Sequence, residues 1–175
     1  MAAPQATTDW AGRTMRALIA GSMAGAISLL AASPASAASR SQTIRRIGPF
    51  TIDKVWEGNR FDRCAATLKG AAGELRIAQN TNQVFAVSVP GVAKTDPFLM
   101  TLDLGPQGMM TFDANGNKIR AWARIDTEAL AAILELRNVI KVEVGNKRFS
   151  WNIGNTSMND VMIAVESCVE ASVNG

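Results

Sequence analysis

The sequence contains no histidine and no tyrosine among its 175 residues. Without imidazole the chain cannot form a Ser-His-Asp or Cys-His catalytic unit, and it lacks the side chain that most often serves as a general base near neutral pH. Histidine ligands for zinc or copper are excluded for the same reason. The composition therefore argues against the common small hydrolases and predicts no catalytic residue, no metal ligand and no cofactor.

The chain also lacks an apolar run long enough for an ordinary membrane span. Arg13 and Arg16 precede a short apolar segment that is diluted by glycine and serine and that ends in small residues at Ala37. This order is typical of a Sec signal peptide, whereas a spanning helix needs about 20 apolar residues. We expect residues 1–37 to be a signal peptide cleaved after Ala37, in preference to an uncleaved anchor, and the protein to be periplasmic or secreted.

Positive charge exceeds negative charge only slightly. The full chain carries a net charge of +3, and removal of the signal peptide leaves 138 residues with a net charge of +2. That balance is too mild to predict a nucleic acid partner. After cleavage of the signal peptide we expect no stable membrane span. The remaining length suits one domain, which we place at residues 48–172 after a flexible mature N-terminus at 38–47.

Cysteine is scarce, with Cys64 and Cys168 alone in the sequence and no Cys-x-x-Cys motif. In an exported chain two cysteines predict one disulfide, here joining distant parts of the domain. A loop of roughly 100 residues closed by such a bond stabilises a fold by up to about 4–5 kcal/mol in the chain-entropy model. A structural role for the pair is therefore favoured over a redox role.

Alternating apolar residues after Gly48 predict short strands with one buried face. Two hairpins can be given a register from their turn residues. A Gly145-Asn146 turn pairs Val142 with Phe149, Ile140 with Trp151 and Glu143 with Arg148. An Asn115-Gly116 turn pairs Phe112 with Ile119, Met110 with Ala121 and Asp113 with Lys118.

Two helices interrupt the predicted strands. One covers residues 127–137 with Asp126 or Thr127 as its cap, and the other covers 157–171 with Ser157 as its cap. Together with the strands they predict an α+β fold with a mostly antiparallel sheet, folding of that sheet into a sandwich being left open. The helices are expected to cover its exposed apolar face.

Arg120, Trp122 and Arg124 share one face of a predicted strand. An indole between two guanidinium groups would stack on a sugar ring or a base and attract an anion. The alternative is that Trp122 packs under a helix or loop while the arginines extend outward, and an isolated aromatic residue more often packs than binds. These three residues are nevertheless the sharpest candidate for a binding surface.

For catalysis the sequence leaves only carboxylate pairs, such as Asp53 with Glu57 or Asp62, and a serine–lysine pair, Ser150 with Lys141. Nothing in their spacing singles out one pair. We therefore expect a non-enzymatic binding or accessory module whose partner is a protein or an envelope polymer. A periplasmic hydrolase that uses carboxylates, and an inhibitor of a protease or lysozyme, are the alternatives; the oligomeric state is left open.

Two segments resemble those of a known group of proteins. Arg60–Ala66, around Cys64, and Phe149–Ile153, followed by a helix that ends in Cys168, resemble the early strand and the closing unit of small exported, disulfide-bonded proteins of alphaproteobacteria. The resemblance implies a periplasmic or secreted α+β module. It assigns no functional residue.

Overall fold

The computed structural model describes residues 39–91 and 98–174, so the predicted signal peptide at 1–37 lies outside the described residues. Within these ranges the chain forms ten strands, one short 3-10 turn and two α-helices. The elements are β1 Ser39–Ile47, β2 Phe50–Glu57, β3 Arg60–Gly70, β4 Gly73–Asn80, β5 Phe85–Pro90, β6 Phe98–Asp103, β7 Met109–Gly116, β8 Arg120–Arg124, α1 Thr127–Leu134, β9 Asn138–Val144, β10 Lys147–Gly154 and α2 Met158–Val173.

All ten described strands belong to one sheet, in the order β1-β2-β3-β4-β5-β8-β7-β6-β9-β10. Every neighbouring pair is antiparallel. The predicted α+β class with a mostly antiparallel sheet is therefore confirmed. Most neighbours follow one another in sequence, but the pairings of β5 with β8 and of β6 with β9 join strands that are distant in the chain.

The two faces of the sheet differ in character. One face, which we call the inner face, carries the hydrophobic core, and α2 packs across it over β2, β3 and β4. Alternation of apolar and polar residues places side chains such as Ile77 and Val87 on this face and their neighbours Arg76 and Ser88 on the opposite, outer face. The outer face is thus free of helices in the described part of the chain.

The predicted disulfide between Cys64 and Cys168 is present, with the two Cα atoms 6.0 Å apart. Cys64 lies on the inner face of β3, and Cys168 lies on the buried side of α2. Both residues are buried. The bond therefore fastens the last helix to the strand on which it packs.

The β9–β10 hairpin has the register that the sequence predicts. Val142 pairs with Phe149 and Glu143 with Arg148. The Arg148 Nε donates to a Glu143 carboxylate oxygen over 3.1 Å. The Phe149 and Trp151 rings stack on the inner side, with centroids 5.8 Å apart. Apolar contact on one face and an ion pair on the other both require this alignment.

The predicted register of the β7–β8 hairpin is wrong. Gly116 pairs with Ala121, and the turn falls three residues later than the Asn-Gly pair suggests. Asn117 forms the turn, since its side-chain oxygen accepts bonds from the backbone N–H of Ile119 and of Arg120, both at 2.8 Å. Gly116 is needed for packing instead, because a Cβ there would lie 2.8 Å from a ring carbon of Phe98.

The N-terminal segment predicted to be flexible at 38–47 contains strand β1, which is paired with β2 over most of its length. Side-chain contacts also hold β1 against β2: the Thr43 hydroxyl donates to Asp53 over 2.5 Å, and the Arg40 guanidinium lies 4.6 Å from the centroid of the Trp56 ring. A bulge and several arginines mark β1 as an edge strand protected from further pairing.

The first helix, α1, is shorter than the predicted range of 127–137. Asp126 caps its start by accepting a bond from the Ala129 N–H over 2.8 Å. Its end comes at Leu134, and the Arg137 guanidinium then donates to the backbone carbonyls of Leu134 and Leu136. The Leu134 carbonyl at the end of α1, which has no intrahelical donor, is thus satisfied by a side chain. The second helix starts after Ser157, whose hydroxyl accepts from the Asp160 N–H over 3.3 Å.

Candidate binding surface

Trp122 lies on the outer face of the sheet, on the side opposite the core. It pairs with Ser88 on β5, which in turn pairs with Arg76 on β4. Trp122 is 38% exposed to solvent, although neighbouring Ala121 and Ala123 are buried. Trp122 is therefore partly open to solvent in the described structure.

Arg120 does not extend outward beside this indole. Its guanidinium reaches back across β5, where Nε donates to the Ser88 hydroxyl over 3.2 Å and Nη2 donates to the Ser88 carbonyl over 2.9 Å. Nη2 also donates to the Glu74 carbonyl over 2.9 Å. Burial lowers the pKa of Arg120 to about 10, helped by the charges of Arg76 and Arg63 and opposed by that of Glu74. Arg120 is thus a largely buried cation that ties three strands together.

The carboxylate of Glu74 forms ion pairs with three cationic side chains. Its oxygens lie 2.7 Å from an Arg76 nitrogen, 3.7 Å from the Lys69 ammonium and 3.8 Å from an Arg120 nitrogen. In addition, the Nε of Arg76 is buried and has no hydrogen-bond partner in the described structure. This part of the outer face therefore carries an excess of positive charge that Glu74 only partly neutralises.

Arg124 completes the surface on the other side of Trp122. It is exposed, and no carboxylate in the described part of the chain forms an ion pair with it. We use the name Trp122 surface for the following set of outer-face residues: Glu74, Arg76, Ser88, Arg120, Trp122 and Arg124.

The sequence predicted only the part of the Trp122 surface that lies on β8. Glu74, Arg76 and Ser88 were missed, although each has the polar parity of its strand, opposite to Leu75, Ile77 and Val87. Parity assigns a residue to a face but does not say which strands are neighbours. The pairing of β5 with β8, which joins residues 30 or more positions apart in the sequence, brings these side chains beside Trp122.

The Trp122 surface has the chemistry of recognition. An exposed indole offers a flat apolar ring that stacks on a sugar or a base, and the surrounding guanidinium groups attract anions. Its residues lie on three adjacent strands, β4, β5 and β8, which are flanked by β3 and β7, so the side chains are presented on a rigid support.

The serine–lysine pair considered for catalysis does come together. Ser150 and Lys141 are directly opposite on β10 and β9. However, the Lys141 ammonium donates to Asp103 over 3.1 Å, and no hydrogen bond joins it to Ser150 in the described structure. The backbone N–H of Gly105 and the Lys141 ammonium lower the pKa of Asp103. Lys141 is therefore engaged as a charged hydrogen-bond donor rather than placed as a base for Ser150.

The carboxylate pairs considered for catalysis are likewise engaged in local contacts. Asp53 accepts hydrogen bonds from Thr43 and Thr51, at 2.5 and 3.2 Å. Glu57 and Asp62 both form ion pairs with Arg63. Within residues 39–91 and 98–174, no group of three or more potential ligand residues could hold a metal ion.

Comparison with protein-family models, curated proteins and solved structures finds no match to this chain. Among the helices that the structure describes, none is long and apolar enough to cross a membrane. The class of protein that the described residues define is a disulfide-bonded α+β domain with one antiparallel sheet and a positively charged outer face around Trp122.

Proposed function

We propose that this protein is exported through the Sec system and acts, in the periplasm or outside the cell, as a non-enzymatic binding module. Its partner is an envelope polymer or a protein, and the Trp122 surface is where that partner docks. The observation that carries the proposal is the half-exposed indole of Trp122, set on a rigid sheet between the unpaired Arg124 and the Glu74 cluster of cations.

Export is supported by the position of the first strand and by the disulfide. Strand β1 begins at Ser39, so cleavage after Ala37 would leave every described strand and helix in the mature chain. A buried disulfide forms and persists in an oxidising compartment, which for a bacterial protein is the periplasm or the exterior. Intact mass of the exported protein should correspond to a chain starting at Ala38 with two hydrogens fewer than the reduced form. Recovery of the chain with Met1 in the membrane would contradict cleavage.

A binding role is favoured over a hydrolytic one because the charged side chains considered for catalysis are held by local partners. General acid–base catalysis needs a group whose pKa is tuned towards the working pH. The pKa shifts of Asp103 and Arg120 do not tune either group in this way. The lowered pKa of Asp103 keeps its carboxylate charged, and the lowered pKa of Arg120 still leaves the arginine protonated near neutral pH.

The proposal can be tested by capture of envelope components. Immobilised wild-type protein is incubated with bacterial periplasmic and envelope extract beside two variants, Trp122→Ala and Ile163→Ala. Ile163 is a suitable control because it is an apolar residue that is 51% exposed on α2, the helix that packs on the inner face of the sheet, opposite the Trp122 surface. We expect a component that is retained by the wild type and by Ile163→Ala but lost with Trp122→Ala. Equal recovery by all three proteins would refute a role for the Trp122 surface.

A further inference from the structure

We infer that the ligand of the Trp122 surface is an acidic polysaccharide, whose sugar ring stacks on Trp122 while its acidic groups contact Arg124 on one side and the Arg76 cluster on the other. This inference rests on the proposed function and adds to it the chemical class of the ligand.

The charge of the Trp122 surface favours an anionic ligand. Lys69, Arg76 and Arg120 share the single carboxylate of Glu74, and Arg124 has no ion-pair partner in the described residues. Arginine forms bidentate bonds with carboxylate, sulfate or phosphate oxygens. An anionic ligand would compensate this positive charge, whereas a neutral ligand would leave it to solvent.

The spacing of the two arginines suits an extended ligand. Arg124 on β8 and Arg76 on β4 are separated by β5, and two strand spacings amount to about 10 Å. Arg124 is level with Ala86 and Ala78, whereas Arg76 is level with Ser88, so the two arginines are also offset by two residues along the strands. A chain with repeated acidic groups can follow the sheet from one arginine to the other, over the short side chains of β5.

A polysaccharide suits the site better than an acidic protein. Trp122 is the only large apolar side chain on the Trp122 surface as defined above, and charged groups surround it. The buried centre of a protein interface is more apolar and depleted in charge. Stacking of one ring on one indole, combined with contacts from polar groups around it, instead matches a ligand built of planar-faced, hydroxylated units. A nucleic acid strand would also stack, but the net charge of +2 that remains after removal of residues 1–37 is small for a domain that binds a polyphosphate.

The ion pairs of Arg63 provide a matched control. Arg63 lies on the outer face of neighbouring β3, but its guanidinium is shared by two carboxylates, Asp62 and Glu57. The positive surface therefore ends before Arg63. An Arg63→Gln variant removes the same charge as Arg124→Gln without removing an available anion contact.

Binding is measured by isothermal titration with three polymers: polygalacturonate, which is an acidic polysaccharide, neutral dextran and poly-L-glutamate. We expect the wild type to bind polygalacturonate at least about 10-fold more tightly than the other two, because only that probe offers both ring and charge. Trp122→Ala should weaken this binding about 10-fold or more and Arg124→Gln about 3- to 10-fold, with Arg124→Gln also reducing the salt dependence. Arg63→Gln should remain within about 2-fold of the wild type.

Each departure from this pattern has a distinct meaning. Equal affinity for dextran and polygalacturonate would overturn the acidic character of the ligand, and equal affinity for poly-L-glutamate would overturn its being a sugar. Absence of binding to all three probes would overturn the inference, while Trp122-dependent capture from envelope extract would still uphold the proposed function. Thermal melts of the variants, together with Trp122→Phe, separate loss of contact from loss of folding.

Discussion

The indole N–H of Trp151 donates a hydrogen bond to the backbone carbonyl of Gly73 over 2.9 Å. Trp151 lies on β10, the last strand in the sheet order, whereas Gly73 begins β4. The sheet must therefore curve until its far edge reaches the β3–β4 turn. Gly70 makes room for this contact, because a Cβ at that position would lie 2.9 Å from the Trp151 ring.

Replacement of Trp151 by phenylalanine should destabilise the domain by about 1–3 kcal/mol. The substitution keeps a ring beside Phe149 but removes the N–H donor, so that the Gly73 carbonyl loses its partner in a partly buried position. Urea denaturation gives the change in free energy of unfolding. Trp122→Phe is the control, since Trp122 donates no hydrogen bond in the described structure. A Trp151→Phe protein as stable as that control would show that the hydrogen bond does not hold the curved sheet.

Loss of the disulfide should lower stability far more than a surface change. The Cys64→Ser/Cys168→Ser double variant removes a bond that closes a sequence separation of 104 residues, and the chain-entropy model gives up to about 4–5 kcal/mol for such a loop. Thermal unfolding measures the effect, with Ser167→Ala on the exposed side of α2 as the reference. Equal melting temperatures for the double variant and this reference would contradict a stabilising role for the bond.

Arg120 and Arg124 should differ in their contributions to the free energy of unfolding, although both lie on the outer face of β8, four residues apart. Arg120→Ala removes three hydrogen bonds to Ser88 and Glu74, which should cost about 1–3 kcal/mol of stability. Arg124→Ala should change stability by less than about 0.5 kcal/mol, because Arg124 is exposed and unpaired in the described residues. Chemical denaturation of both variants tests the difference. The assignment of Arg120 to structure and of Arg124 to binding fails if the two losses are equal.

Asp103 should give a pH-dependent contribution to stability. Its pKa is lowered from the ordinary value of 3.8 by the Gly105 N–H and by Lys141. Stabilisation by the carboxylate is therefore present above pH 3.8 and is lost as the pH falls through the pKa of the folded state. We expect Asp103→Asn to cost less than about 1 kcal/mol at pH 7, because the pair is exposed. The difference from wild type should vanish in acid; a difference that persists there would assign it to something other than the charge.

The β9–β10 hairpin and the β7–β8 hairpin show how far local sequence determines register. In the first, Val142–Phe149 and Glu143–Arg148 pairs agree with the turn residues, so that every local preference selects one alignment. In the second, the turn does not form at the Asn-Gly pair at 115–116, because the Asn117 side chain caps a turn that lies further along the chain. The close approach of Phe98 to Gly116 also contributes, and it comes from a strand that local sequence does not place there.

Sequence alone determined the antiparallel α+β class, the parity of the strands and the pairing of Cys64 with Cys168, because alternation and the cysteine count are local or compositional properties. Only the tertiary structure decided the order of the strands and the direction of the Arg120 side chain. It also placed Arg76 and Ser88 beside Trp122. These depend on the non-local pairing of β5 with β8, whose free energy comes from burying Ala121, Ala123, Val87 and Val89 together on the inner face. The outer face, with its candidate binding surface, follows from that burial.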